Sequence, residues 1–241
     1  MSTTEADRSG DLGRLVQTAR EQKRRVLSEP EAKAFLRVHG IAVPEGRFIR
    51  SPEEAAAALT AIGAPVVVKA VAPQLTHKND AGAVIFPVAS PAAAQDACRT
   101  IAQQVKTRRP DIALDGFLIE AFRPGQPEWI MALRNDPQFG PVVMFGLGGV
   151  FVEALRQVSF RLAPLSATDI AALLTEHPAT KLLNRKRTEK NAPSLGDVLQ
   201  RLSELSEVPD VRREIEEIEI NPVVISDQGP LALDALIILR A

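Results

Sequence analysis

The run VVVKAVAPQLTHKNDAGAV, Val66–Val84, sets a lysine inside an apolar strand-like segment and follows it with a loop holding a histidine, a second lysine and an aspartate. A lysine in mid-strand must either reach water along its aliphatic stem or find a charged partner, because an unpaired buried ammonium is costly. Two readings follow. In one, Lys69 snorkels out at a strand end and His77 is an ordinary polar loop residue. In the other, both face a phosphate.

Working outward, the flanking segments alternate between helical and extended patterns. Residues 1–14 form a polar stretch read as a disordered tail. The helical pattern from Leu15 to His39 is divided near Ser28–Pro30, and SEPEAKAFLRVHG carries an N-cap serine, an early proline and a glycine stop. IAVPEGRFI is a short strand, SPEEAAAALTAIG a second capped helix, and PVVVKAV a strand whose apolar character implies burial on both faces. GAVIFPV follows as a strand that Pro87 places near an edge, then a long helix SPAAAQDACRTIAQQVKTR and the strand LDGFLIEAF. These make a first lobe, 15–122. A second lobe, 123–241, holds strands at EWIMALRND, GPVVMFGLGG and VFVEAL, and helices at SATDIAALLTEH and SLGDVLQRLSELS. It closes on the strands IEEIEINPVVIS and LALDALIIL, turned by DQGP. The fold class is α/β (α+β) in two lobes.

Composition narrows the function. A formal net charge of -1 provides no field for nucleic acid or anionic lipid, and 4% aromatic residues with no tyrosine argue against a base-stacking surface. Cys98 is the only cysteine, which rules out a disulfide framework and a thiolate metal cluster and fits a cytoplasmic location. The longest apolar stretch is short and broken by glycine, so no membrane span is expected.

The last hairpin carries most chemistry. In EIEINPVV, side-chain alternation puts Glu217, Glu219 and Asn221 on one strand face, and Asp234 returns on the partner strand in LALDAL. Carboxylate and amide oxygens on adjacent strands suit Mg²⁺, which nucleotide phosphates also hold. An exposed acidic face would show the same alternation, but Asp234 lies in an apolar strand, where a lone carboxylate is unfavourable. Glu120 ends the apolar strand LIEAF, and Glu128 opens the next. Gly146, Gly148 and Gly149 follow another strand, fitting neither a P-loop nor a dinucleotide fingerprint. A phosphoryl group approaching the backbone and a tight turn both explain them. His39 and His177 sit at helix ends, and no zinc set is present. His77 alone stands among charged loop residues, where it is a candidate nucleophile for a phosphoryl group.

Taken together, EAKAFLRVHGIAVP, PVVVKAVAPQLTHKNDAGAV, NDPQFGPVVMFGLGGVFVEAL, FRLAPLS and EIEINPVV with ALDA resemble the ATP-grasp domain of NDP-forming (ADP-forming) acyl-CoA synthetases, in particular their beta subunits. They are more distantly similar to the beta subunit of succinyl-CoA ligase. The resemblance implies an ATP-grasp fold, two lobes with the nucleotide held between them. It implies that Lys69, Glu120, Phe122, Glu128 and Asn221 bind ATP or ADP, Lys69 at the phosphates and Glu120 at the adenine hinge. Lys78, Asp80, Gly82, Gly148, Gly149 and Glu153 would lie where the phosphoryl group arrives. Glu219, Asn221 and Asp234 would hold Mg²⁺. His77 would be catalytic, taking a phosphoryl group from a phosphohistidine of an alpha-type CoA-binding subunit and passing it to ADP. The implied reaction is acyl-CoA + ADP + phosphate ⇌ carboxylate + CoA + ATP. The acyl-CoA or acyl phosphate would enter through that partner in a hetero-oligomer, with no nucleic acid and no membrane involved.

Three segments depart from the family pattern. Gly82-Ala83 replaces a double glycine, which leads us to expect a loop less free to swing. Arg156-Gln157 replaces a lysine-aspartate pair, and LLNRKRTEKNAPS stands where a glycine-arginine-glycine segment is usual. The alternative reading is an ATP-grasp-derived nucleotide-binding regulatory subunit without turnover of its own. An ATP-grasp carboxylate–amine ligase is weaker, because it has no use for His77.

Overall fold

The computed structural model describes residues 5–75 (5–11 as backbone), 78, 81–125, 127–149, 158–177 and 193–241. By internal packing the chain divides into two compact units: Met1–Leu27 with Glu31–Val43 and Pro124–Ala241, and Ser28–Pro30 with Pro44–Arg123.

The smaller unit is a four-stranded antiparallel sheet backed by two helices. Its strands are β1 (Gly46–Ile49), β2 (Val66–Val71), β3 (Val84–Val88) and β4 (Gly116–Ala121), in the order β1-β4-β2-β3. Pro87 sits on an edge strand, as its missing N–H requires. The helix α4 (Pro91–Arg108) starts where its Ser-Pro pair predicts, with Ser90 Oγ accepting the Ala93 N–H, whereas Ser51-Pro52 opens a 3-10 turn, Pro52–Glu54, that leads into α3 (Ala55–Ile62). Val66, Val68, Ala70, Phe117 and Ile119 form one core with Ala55, Leu59, Ala94, Cys98 and Ile101. Alternation therefore sends Val67, Lys69 and Glu120 to the opposite face of the sheet.

The larger unit is built on a six-stranded antiparallel sheet. β5 (Trp129–Asp136), β6 (Gly140–Leu147), β7 (Val158–Leu162), β8 (Ile215–Ser226) and β10 (Ala235–Leu239) run in the order β10-β8-β5-β6-β7, and β9 (Gly229–Ala232) also pairs β8. Trp129, Met131, Leu133, Val143, Phe145, Ile218, Ile220 and Ile237 pack one face against Val16, Leu36, Leu199 and Leu202. Those residues come from α1 (Glu5–Glu21), α2 (Glu29–Val38) and α6 (Leu195–Glu204); α5 (Ala167–Glu176) and α7 (Pro209–Glu214) are the unit's other α-helices among the described residues. Ser166 and Ser194 each close a capping box, with Asp169 and Asp197.

Several expectations are revised. The stretch 1–14 is not a tail throughout, since α1 begins at Glu5 and Leu12 is buried in the core. Residues 15–27 and 31–43 do not join the first lobe. Their apolar side chains Val16, Ala19, Phe35 and Leu36 pack with β5 and β8, far along the chain. LALDALIIL is two strands, β9 and β10, interrupted at Leu233–Asp234 opposite the cis Asn221–Pro222 peptide. The expected strand VFVEAL lies outside the described residues.

Leu199 is completely buried on an α6 face that packs against the sheet. Leu199→Ala should therefore lower stability by about 2–5 kcal/mol in a denaturant titration of the larger unit. A loss below about 1 kcal/mol would contradict this packing.

Candidate functional site

In the smaller unit, Lys69 is only 7% exposed, so it does not snorkel. Its ammonium donates to Glu29 Oε1 at 2.7 Å and lies 3.0 Å from Glu120 Oε2. The second oxygen of Glu29 lies 3.1 Å from the Lys78 ammonium. Among the described residues, two lysines and two glutamates thus meet in a largely buried cluster whose four formal charges sum to zero. That is the arrangement a low-dielectric site demands, because each charge removed from water is compensated within about 3 Å. Backbone register explains the meeting: Val67 is paired with Glu120, so Glu120 and Lys69 rise from neighbouring strands on the same face. A side chain at Gly46 would press on Glu120, its Cβ falling 2.9 Å from Glu120 Cγ. Glu29 comes from the first residue of α2, where the helix terminus favours a carboxylate.

The loop after β2 is held by its glycine and alanine differently from the sequence expectation. Gly82 takes the left-handed φ of +65°, and a Cβ there would run into Gln104 Oε1 and lie 3.0 Å from the Arg108 guanidinium. Ala83 needs no positive φ. It is fully buried, its N–H donates to the Lys78 carbonyl at 2.8 Å, and its carbonyl accepts from Ala70 N–H at 2.8 Å. Alanine at 83 is therefore an unstrained continuation of the β2–β3 pairing, so the expectation of a loop hampered by Ala83 finds no backbone reason here. His77 and Asp80 lie outside the described residues. Phe122 stacks on the half-exposed Phe86 with ring centroids 5.5 Å apart, and its N–H donates to the Pro65 carbonyl.

In the larger unit, Asn221 Oδ1 accepts the Gly149 N–H at 3.2 Å, and the Gly148 N–H donates to the Glu128 carbonyl at 2.8 Å. Gly148 is required by backbone crowding and Gly149 by its left-handed φ. A Cβ at Gly148 would fall 2.7 Å from the Trp129 carbonyl carbon, and one at Gly149 (φ +60°) would meet Glu128 Oε2. Glu128, Gly148, Gly149 and Asn221 thus come together. Asp234 lies opposite Asn221, whose N–H donates to the Asp234 carbonyl at 3.3 Å, while Asp234 Oδ1 accepts the Ala235 N–H at 2.8 Å. Glu219 is paired with Leu236 across β8 and β10 and shares the half-exposed face of β8 with Glu217 and Asn221. Glu153 lies outside the described residues. Burial pushes the Glu128 carboxyl above the ordinary carboxylate range, and it does the same to Glu217, with Arg134 opposing.

Among the described residues no three His, Cys, Asp or Glu side chains form a metal-binding group. The expected magnesium set is different in kind: two carboxylates and one amide. Its donors are all oxygens, which fits a hard cation, and each of Asn221 Oδ1 and Asp234 Oδ1 accepts a backbone N–H that holds it in place.

Two further residues belong to these groups. Glu29 reads in sequence as part of a helix start, and its spacing carries no hint of a strand lysine forty positions away. Lys33 is buried and donates to the Leu233 carbonyl at 2.7 Å, next to Asp234. The one available signal is that Glu29, Lys33 and Leu36 share one helix face at i, i+4 and i+7.

The chain matches the ATP-grasp domain family over residues 18–239. It is 42% identical, over 97% of its length and all of that protein's, to subunit beta of ADP-forming acetate–CoA ligase I from Pyrococcus furiosus. Among solved structures it is similar to the dinucleotide-forming acetyl-coenzyme A synthetase 1 of Ca. Korarchaeum cryptofilum in complex with coenzyme A, Ca-AMPCP and HgCl+. There the TM-score is 0.85 and the identity 41%, covering 94% of this chain and 99% of that one. A structure of the same synthetase with coenzyme A and Mg-AMPPCP, whose phosphohistidine segment points towards the nucleotide binding site, has a TM-score of 0.77 and 39% identity. It covers 95% of this chain and 100% of that one. Among the described residues no helix is long and apolar enough to cross a membrane.

Ala83→Gly should lower stability by about 1 kcal/mol, through a lost buried methyl and a more flexible unfolded chain, whereas Gly82→Ala should lose more through its φ and the contacts of its Cβ. Denaturant titration of both variants checks the order, and the reverse order would sink the account of this loop. A second outcome concerns pH. Because burial raises the Glu128 pKa, its ionisation weakens the folded state as pH rises from the ordinary carboxylate range through the raised value. Glu128→Gln should melt at a higher temperature than the parent near pH 7, with the difference gone below about pH 4. A gain that persists at acid pH would mean that ionisation is not its cause.

Proposed function

The chain belongs to the ATP-grasp family, in the branch of the ADP-forming acetate–CoA ligase beta subunits, and from that premise we propose that it is the nucleotide-handling subunit of an ADP-forming acyl-CoA synthetase. The observation that carries this reading is the end-to-end match, which spans 97% of this chain and the whole of a protein named as a separate beta subunit. A subunit so named implies an alpha partner. In this reading the partner binds CoA and the acyl group, and the two chains work as a hetero-oligomer. A cytoplasmic location goes with it, consistent with Cys98 as a single, buried, free thiol.

The chemistry follows from phosphoryl transfer, in which positioning and charge neutralisation do most of the catalysis. The P–N bond to the partner's phosphohistidine breaks as a P–N bond to His77 forms. A terminal phosphate oxygen of ADP then takes the phosphoryl group, releasing a neutral His77 imidazole and ATP. Lys69 and Lys78 offset the phosphate charge, and Glu120 holds Lys69 in the strand face from which it acts. Gly148 and Gly149 keep a stretch of backbone free of side chains beside Asn221 and Glu128. Phe122 joins the base-binding residues. Glu219, Asn221 and Asp234 would hold Mg²⁺, which when bound supplies neutralisation of phosphate charge.

The alternative, a nucleotide-binding subunit without turnover, draws on Ala83 and on the missing glycine-arginine-glycine segment; the unstrained, buried alanine gives the first no support, and most of the second lies outside the described residues. The test is to mix the chain with an alpha-type CoA-binding subunit, acyl-CoA, ADP and phosphate, and to follow ATP. The parent pair should form ATP, and His77→Ala should reduce the rate by at least about a thousandfold. Persisting turnover in His77→Ala would remove the relay. Mg-ADP binding without turnover in the parent pair would favour the regulatory alternative.

A further inference from the structure

We propose that Glu29 is a positioning residue that presets the ammonium groups of Lys69 and Lys78 for an incoming phosphoryl group. This role rests on the phosphoryl-transfer function proposed above. The observation behind it is a division of labour within one carboxylate. Glu29 Oε1 accepts a hydrogen bond from the strand lysine at 2.7 Å, and Oε2 stands 3.1 Å from the loop lysine's ammonium as an ion pair. The Glu29 side chain is 3% exposed and those of Lys69 and Lys78 are 8% and 11% exposed, so the three charges interact with little solvent screening.

Three physical consequences follow. Two ammonium groups held this close repel each other, and a carboxylate bridging them cancels that repulsion while fixing both on the same anchor. Lysine side chains are long and rotamer-rich, so an ammonium that must meet a phosphoryl oxygen benefits from being placed before the substrate arrives. The anchor itself is stiff, because Glu29 opens α2 and Lys69 stands in the middle of β2, between two hydrogen-bonded neighbours. Glu120 completes the balance on Lys69 from β4. Lys78 directly follows His77 in the chain, so Glu29 ties to the sheet the residue next to the proposed relay histidine.

The cluster's zero net charge makes the role distinguishable from simple anion attraction. Glu29→Gln removes one negative charge, leaving the four residues with a net charge of +1. A site that only collects anions would then bind ADP more tightly and turn over no more slowly. A site that depends on preset lysines would show a KM for ADP equal to or lower than the parent's, with kcat reduced at least tenfold. The assay uses the full chain with its alpha-type partner, at a temperature well below each variant's melting point, so that unfolding does not enter kcat. Glu29→Asp keeps the charge but is one methylene too short to reach both lysines. It is expected to lose at least fivefold in kcat, and it serves if Glu29→Gln does not fold. In a double-mutant cycle, Glu29→Gln with Lys78→Gln should lose less than the product of the two single losses, because part of the carboxylate's effect acts through Lys78 and the rest through Lys69.

A kcat within twofold of the parent in Glu29→Gln or in Glu29→Asp would overturn the proposal. So would a double variant that loses the product of the two single losses. If the parent pair makes no ATP at all, the function proposed above fails and this role fails with it. ATP formation by the parent together with unchanged Glu29 variants removes the positioning role alone.

Discussion

Burying a lysine in a central strand imposes a constraint that the smaller unit is arranged around. The charge of Lys69 cannot be left alone among apolar neighbours, so the layer facing it must supply carboxylates at hydrogen-bond distance. Strand register supplies one, Glu120, by pairing it with Val67. The start of a helix supplies the other, Glu29. Gly46 lies where a side chain would press on Glu120. The opposite face of the same sheet is then free to be wholly apolar and to bind α3 and α4. One alternating strand thus carries both the core and the chemistry, with a side-chain period of two separating them.

The larger unit solves a similar problem with longer strands. β8 turns Ile218 and Ile220 into the core and Glu217, Glu219 and Asn221 to its other face. At Asn221 the strand stops being regular. The peptide to Pro222 is cis, and the opposing strand is interrupted at Leu233–Asp234. There the Asn221 side-chain oxygen accepts from Gly149 N–H, and Asp234 lies opposite, its carbonyl accepting the Asn221 N–H. Polar groups converge where strand pairing is broken, because only there can side-chain oxygens and backbone N–H groups meet without competing with the ladder.

Much of this was legible in the sequence. Helix starts at Ser51, Ser90, Ser166 and Ser194 follow from capping chemistry, a local property. The strand face holding Glu217, Glu219 and Asn221 follows from alternation, and Pro87 correctly marks an edge strand. What failed was everything that depends on distant partners. Residues 15–27 and 31–43 pack with the larger unit rather than the first lobe, because amphipathic spacing tells which face of a helix is buried, not against what. Glu29 was passed over because a glutamate at a helix start is already explained by the helix terminus. At Gly82-Ala83 only the glycine holds a left-handed φ, so the alanine carries no backbone strain.

The sequence by itself determined the elements, their caps, the polar and apolar faces of the strands, and a motif order that identifies the family. Those are set by short-range sterics and by periodicity, which a linear pattern records. Only the tertiary structure decided that Lys69 is neutralised by Glu29 and Glu120, that Lys78 shares the Glu29 carboxylate, and that α1 and most of α2 pack with β5 and β8. Charge pairing and core packing act through space between residues tens to two hundred positions apart. No local pattern encodes which of many possible partners a buried charge or an apolar face will meet.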